Sequence, residues 1–213
     1  MEIDGADPNV NDDVGRLMQA YVNEKCAPHI LPYEQQLAGI IVELVGLQEE
    51  KMGGELSASD PRRPYYELEL ERMRWLLRAY LRTRLLKINT HAFTILLSPE
   101  LKSRLTAAEV EYAEGYVTLV EEHVKASVTG RLKAGDDNCH VLAPSDLALL
   151  LPRQHDGVVF CRIDADAGQV DLGLSAGSAE LRRGDIVASS FSDVEPLLLS
   201  AGADGGPAMA TLV

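Results

Sequence analysis

Residues 65–91 read YYELELERMRWLLRAYLRTRLLKINTH, a stretch without glycine or proline and dense in strong helix formers. It predicts one long helix. At about 100° per residue, Tyr66, Leu70, Met73, Leu77, Tyr80, Leu81 and Ile88 fall on one apolar stripe, while Leu68, Trp75 and Leu86 lie roughly opposite. A helix that is apolar on two sides has to be covered on two sides, and a small helical domain has little core to do both. The pattern therefore favours a subunit interface. The residues expected to build it are Leu70, Met73, Arg74, Trp75, Leu77, Arg78, Tyr80, Leu81, Arg84 and Ile88. Trp75 reads equally as a core aromatic or as an interface anchor.

The charges on this helix divide into two kinds. Arg74, Arg78 and Arg82 follow one another at four-residue steps, with Glu67 and Glu71 ahead of them. Exposed intrahelical pairs of this type contribute only about 0.2 to 0.5 kcal/mol each. Arg84 projects near the centre of the apolar stripe, where an unpaired charge is expensive. It is expected to reach carboxylates or helix-end carbonyls on a neighbouring segment or subunit.

Working outward, Val14, Leu17, Met18 and Tyr21 have helical spacing in residues 12–26, and Pro28 interrupts that helix. Pro32 is expected in the first turn of a second helix carrying Leu37, Ile40, Ile41, Leu44, Val45 and Leu47, with Gly53 and Gly54 as its stop. Ser98-Pro99 announces a short helix. Thr106 and Glu109 have the spacing of a capping box, followed by Val110, Ala113, Val117, Val120 and Val124 towards Val128, with Gly130 as the stop. Beyond Lys133 the pattern changes. Residues 158–163 are β-rich, Val170, Leu172 and Leu174 alternate with Asp171 and Gly173, Asp185 begins a run after a turn at Gly184, and residues 208–213 suggest a terminal strand. The expected fold is α+β: an N-terminal all-α domain with a long central helix over residues 1–133, a linker at 134–146, and a small β-rich C-terminal domain over 147–213.

Composition bounds the function. The 213 residues are 46% apolar and 25% charged, as in ordinary globular proteins, with a net charge of −13. Residues 1–60 carry a net −9, residues 61–133 a net +4 and residues 134–213 a net −8. Such acidity repels a polyanion, so direct DNA contact is expected to be weak or indirect. No apolar run is long enough for a membrane span, and the acidic N-terminus is unlike a signal or transit peptide, which points to a soluble intracellular chain without membrane partners. Cys26, Cys139 and Cys161 form neither a disulfide framework nor a zinc pattern and are expected to be reduced thiols. His29, His91, His123, His140 and His155 make no ligand pair on a helix face, and a metal site from Cys139, His140, His155 and Cys161 fits no common module. No nucleophile elbow, phosphate loop or dinucleotide turn is present. Catalytic residues, metals and cofactors are accordingly not expected. Arg183-Gly184-Asp185 reads as a tight turn before a strand.

Three segments occur in an order that resembles a known family: Cys26 to Glu34 (CAPHILPYE); the helix with Glu69-Leu70-Glu71-Arg72 followed by Arg78 to Ile88 (RAYLRTRLLKI); and Arg104-Leu105-Thr106 with Glu109 to Ala113. This is similar to the SLD-five-type subunit of the GINS complex, the heterotetramer that joins the MCM ring in the eukaryotic replicative helicase. The tail, VVFCRI and then GDIVASSFSDVEPLLLSAG, matches more loosely. His29 and Ile30 stand where the family usually has an acidic residue and leucine, and the family usually has tyrosine near Phe191. The resemblance implies a helical A-type domain before a β-rich B-type domain and a nuclear, non-enzymatic structural subunit. Its implied partners are the three other GINS subunits, the MCM ring and a Cdc-forty-five-like protein through the assembled complex, and in some relatives a replisome hub protein at the N-terminus. The alternative is a helical adaptor of an unrelated intracellular complex. A small hydrolase using dispersed Ser, His and Asp residues is disfavoured because no motif supports it.

Overall fold

Asp60 prepares the start of the long helix. Its carboxylate accepts hydrogen bonds from the Arg62 backbone N–H at 2.8 Å and from the Arg62 guanidinium at 3.0 and 3.2 Å. Pro64 then sits in the first turn, where a missing N–H costs nothing. The computed structural model describes residues 8–54, 60–127, 157–166, 168–171, 178–200 and 208–213. The helices are α1 (Pro8–Cys26), α2 (Gln35–Gly54), α3 (Arg63–Leu97), α4 (Pro99–Ser103), α5 (Ala107–Ser127) and α6 (Phe191–Leu199). The strands are β1 (Val158–Ile163), β2 (Gly168–Asp171), β3 (Ser178–Leu181), β4 (Ile186–Ser190) and β5 (Ala210–Leu212). Helices therefore precede a small sheet region, as expected. The expected linker and the start of the β-rich part, with Val128, Gly130, Cys139, His140 and His155, lie outside the described residues.

Two local readings are corrected. Pro32 is not in the first turn of α2, which begins at Gln35. The residues before it form a non-helical segment whose Tyr33 N–H donates to the Arg104 carbonyl at 3.1 Å, and proline itself biases Leu31 away from helical backbone. The long helix also runs past the expected His91 to Leu97, although His91 departs from helical geometry (φ −123°, ψ 20°). Ser98 and Pro99 end it: Ser98 caps α4 by accepting from the Leu101 N–H, with the proline at the first helical position.

The chain divides into two compact units. One comprises Met1–Pro28, Glu34–Thr83 and Asp156–Val213. In it Val14 and Leu17 of α1, Leu37, Ala38 and Ile41 of α2, and Leu70, Met73, Leu76 and Tyr80 of α3 are buried. Burying each large apolar side chain contributes roughly 1.5 to 3 kcal/mol. Polar contacts fix the level of α2 against α3: Gln48 donates to the Tyr66 carbonyl at 3.2 Å, and the Glu34 N–H donates to the Tyr80 hydroxyl at 3.3 Å.

The same unit holds an antiparallel three-stranded sheet, ordered β4-β1-β5, and the two-stranded β2-β3 ribbon. Val159 pairs with Ser189, and Cys161 with both Val187 and Leu212. Period-two alternation buries Val159, Cys161 and Ile163 on one face, which α6 covers with Phe191, Val194 and Leu198. The run after Gly184 is a strand as expected, and residues 183–184 form the turn, with Gly184 at φ +95° and Arg182 N–H donating to the Asp185 carboxylate at 2.9 Å. Helix α6 and strand β3 were not anticipated. Of the expected second strand, Val170 belongs to β2, while Leu172 and Leu174 lie outside the described residues. Strand β5 packs on α1, where the Leu212 N–H donates to Asn23 Oδ1 at 2.9 Å.

The second unit comprises His29–Tyr33 and Arg84–His155. Its core joins Ile30, Ile88, Ile95 and Ala113, with Leu85, Leu96, Leu101 and Leu105 packed against them. Val110, Val117, Val120 and Val124 line the less exposed side of α5 along with Ala113, as their spacing predicts.

Candidate subunit interface and the buried arginine

Arg84 is the largest fully buried side chain among the described residues. Its Nε donates to Glu109 Oε1 at 2.8 Å and its Nη2 to Glu109 Oε2 at 3.0 Å, a two-point fork that matches the planar guanidinium to the carboxylate. Nη1 donates to the Leu31 carbonyl at 2.7 Å and Nη2 also to the Arg104 carbonyl at 3.1 Å. The Tyr33 ring faces the guanidinium carbon at 5.2 Å, a cation–π distance. The sequence left open whether a neighbouring segment or a subunit would satisfy this charge; a neighbouring segment of the same chain does.

Glu109 has a second task. The Thr106 N–H donates to its Oε2 at 2.9 Å, and the Glu109 N–H donates to Thr106 Oγ1 at 3.2 Å. The capping box read from the sequence is thus formed, and its carboxylate is the one that neutralises Arg84.

Three cations hold the segment before α2. Lys87 Nζ donates to the His29 carbonyl at 2.8 Å, Arg104 Nη1 to Ile30 at 3.1 Å, and Arg84 Nη1 to Leu31. Consecutive carbonyls outside any helix or strand thereby gain partners, which they need when withdrawn from water. Burial pushes the Tyr33 hydroxyl pKa above its ordinary value, the Glu109 charge adds to this, and Arg84 opposes it.

The other charged candidates lie on the surface. Arg74 pairs with Glu71 at 2.8 Å and with Glu49 of α2, and Arg78 approaches Glu71 at 3.7 Å. Glu67 pairs with Arg63. Arg82 is exposed and makes no ion pair among the described residues. The Glu71 pairs are the weak surface pairs expected from the spacing, whereas Glu67 turns back to Arg63 and the Arg74–Glu49 pair joins two helices. The described residues contain no His, Cys, Asp and Glu group able to hold a metal ion, and no helix of the chain as described is long and apolar enough to cross a membrane.

The model of the Sld5 family, described as a GINS complex protein helical bundle domain, matches residues 47–128, the span that contains α3, α4 and the Arg84–Glu109 pair. Proteins described as DNA replication complex GINS protein SLD5 are similar along most of the chain. The one from Arabidopsis thaliana is 34% identical across 82% of this chain and 82% of its own length. The chain belongs to the Sld5 family of GINS proteins. Similar proteins of that description from Chaetomium globosum and Schizosaccharomyces pombe are 27% and 26% identical, covering 90% and 89% of this chain and 89% of each relative.

Within this Sld5-family chain the expected interface residues separate by burial. Leu70, Met73, Tyr80, Arg84 and Ile88 are buried against the chain's own elements. Arg74, Leu77 and Leu81 are half-buried, and Arg78 is exposed. The opposite row remains open: Leu68 is 71% exposed, Trp75 58% and Leu86 67%. Trp75 meets Tyr21 of α1 edge-on, ring centroids 6.0 Å apart at 74°, and keeps most of its surface. A second apolar surface escaped the sequence reading. Val158, Phe160, Ile186 and Val213 are exposed on the face of the sheet away from α6; strict alternation in β1 was the signal available.

Proposed function

We propose that this Sld5-family chain acts as a non-enzymatic structural subunit of the GINS heterotetramer in the nucleus, with the three other GINS subunits as direct partners. Through the assembled complex it meets the MCM ring and a Cdc-forty-five-like protein during initiation and elongation of DNA replication. Its N-terminus is a docking point for a replisome hub protein, and its DNA contact is at most weak. Residues 1–133 serve as the A-type helical domain and 147–213 as the B-type domain, joined through 134–146.

The observation that carries this reading is the two-sided α3. One side is filled by the chain's own core, and the other leaves Leu68, Trp75 and Leu86 to water. Apolar rows left open in this way mark association surfaces. The interface residues are then the exposed and half-buried members of the expected set, Arg74, Trp75, Leu77, Arg78 and Leu81, with Leu70, Met73, Tyr80, Arg84 and Ile88 supporting them from beneath.

Co-expression with the three other GINS subunits tests it. A stoichiometric tetramer, with the chain alone aggregating or poorly soluble, is the expected result. A stable monomer at high concentration that recovers none of the three partners refutes it. Mass analysis of the complex recovered with this chain as bait extends the test to the MCM ring.

A further inference from the structure

Strand β5 lies at one edge of the β4-β1-β5 sheet, so alternate backbone groups along it point away from β1. An edge of this kind is ordinarily left to water. Here Ala210, Thr211 and Leu212 are all buried, and an outward N–H among them needs a partner from the protein. The Val213 N–H points inward and donates to the Phe160 carbonyl at 3.0 Å, whereas the Leu212 N–H donates to Asn23 Oδ1 of α1 at 2.9 Å. Inside a helix the backbone carbonyls are committed to their own turns, so α1 can meet the strand edge only through side chains. The Asn23 carboxamide stands where the peptide carbonyl of a further strand would stand. Gln19, one turn earlier, donates to Asn23 Oδ1 at 3.0 Å and fixes how the amide is turned. Just past the end of the helix, Pro28 lies against Gly157 at the entry to β1.

We infer that α1 is a clasp on this edge: Asn23 secures β5, and the sheet opens only together with the N-terminal helix, although 189 positions separate Asn23 from Leu212. This holds whether or not the chain assembles with GINS partners. Strand β5 has only three residues, and so short a strand keeps its place on β1 only with outside support. A buried N–H stripped of its acceptor costs more than the bond itself contributes, so loss of the Asn23 amide is felt first as opening of β5. A sheet that opened as a separate module and merely rested on α1 would be indifferent to the acceptor at residue 23.

Native-state hydrogen exchange of the full chain, read at single amides, tests the clasp. Asn23→Ala is expected to speed exchange of the Leu212 and Val213 N–H groups by about fivefold to a hundredfold. Asn23→Leu keeps the bulk without an acceptor and is expected to behave like Asn23→Ala, whereas Asn23→Asp keeps an acceptor and is expected to leave β5 nearly as protected as in the unaltered chain. Gln19→Ala removes only the bond that turns the amide and is expected to give a smaller acceleration at the same two positions. Leu17→Ala weakens α1 in the core, away from Asn23, and the amides of β1 and β5 are expected to follow those of α1. Equal exchange at β5 in the Asp and Leu variants, or sheet amides that hold their rate while Leu17→Ala speeds α1, overturns the inference. Should Asn23→Ala fail to fold, Gln19→Ala decides the matter: acceleration at Leu212 and Val213 supports the clasp, and unchanged rates there refute it.

Discussion

Arg84 and Glu109 meet in a two-point fork at 2.8 and 3.0 Å, and the same Glu109 carboxylate accepts the Thr106 N–H at the start of α5. One carboxylate therefore neutralises a fully buried guanidinium and closes a helix end. The same guanidinium also donates to the carbonyls of Leu31 and Arg104. The extended segment, the middle of α3, and the junction of α4 with α5 converge on one pair.

Removing one member of that pair should cost far more than an ordinary surface contact. Arg84→Ala leaves the Glu109 carboxylate without its counter-ion and removes the donor to the Leu31 carbonyl, for an expected loss of about 3 to 5 kcal/mol by chemical denaturation. Arg84→Lys keeps the charge but loses the fork and should fall between the two. Because α3 also carries the expected interface residues, Arg84→Ala should reduce recovery of the other GINS subunits. Co-purification of all four subunits in unchanged yield would contradict this.

The two roles of Glu109 can be separated. Thr106→Ala removes only the hydroxyl acceptor at the cap and should cost about 1 kcal/mol. Glu109→Gln keeps an acceptor for the Thr106 N–H while discarding the charge, so it should be less damaging than Glu109→Ala. Equal losses for Thr106→Ala and Glu109→Ala would mean that the ion pair adds nothing.

Trp75 and Leu70 should respond oppositely in two assays. Leu70→Ala opens the core and is expected to lose about 2 to 5 kcal/mol of folding stability. Trp75→Ala gives up chiefly its edge-on contact with Tyr21, about 0.5 to 1.5 kcal/mol, yet it should be the more harmful change for tetramer recovery. The comparison needs thermal unfolding of the isolated chain beside quantitative pull-down.

Tyr33 ties stability to alkaline pH. Its folded pKa is raised above the ordinary value of 10.0, chiefly by burial. In the unfolded chain the phenol ionises near that ordinary value, whereas the folded chain keeps the proton, so the contribution is complete below pH 10.0 and is lost as pH rises through the folded pKa. Denaturation midpoints measured across that range should fall, and Tyr33→Phe should flatten the decline. An unaltered slope in the variant would assign the decline to other groups.

The thiols offer an independent check of the sheet. Burial pushes the Cys161 pKa up, although a backbone hydrogen bond from Val187 opposes this, while Cys26 is exposed. In a Cys139→Ser background, Cys26 should react with a maleimide in the native chain and Cys161 only after unfolding. Equally fast native labelling of both would show that β1 does not pair as described.

Much of this was written in local chemistry. Ser98-Pro99 and the Thr106–Glu109 box were readable because their hydrogen bonds close within three or four residues, where spacing alone fixes geometry. The long α3 was readable because its composition allows no competing turn. Helix α6 left a weaker trace: Phe191, Val194 and Leu198 have helical spacing, but Pro196 lies among them and the neighbouring strand pattern masked it. The start of α2 was misplaced because Pro32 suits a first helical turn in isolation, whereas side chains from Lys87, Arg104 and Arg84 claim the backbone around it. By itself, then, the sequence determined the long α3 with its two apolar rows and the starts of α4 and α5. Only the tertiary structure decided that the Leu70–Tyr80 row turns inward and Trp75 outward, and that Arg84 meets Glu109. Periodicity is symmetric about a helix axis, and which side is covered depends on elements that arrive from distant parts of the chain.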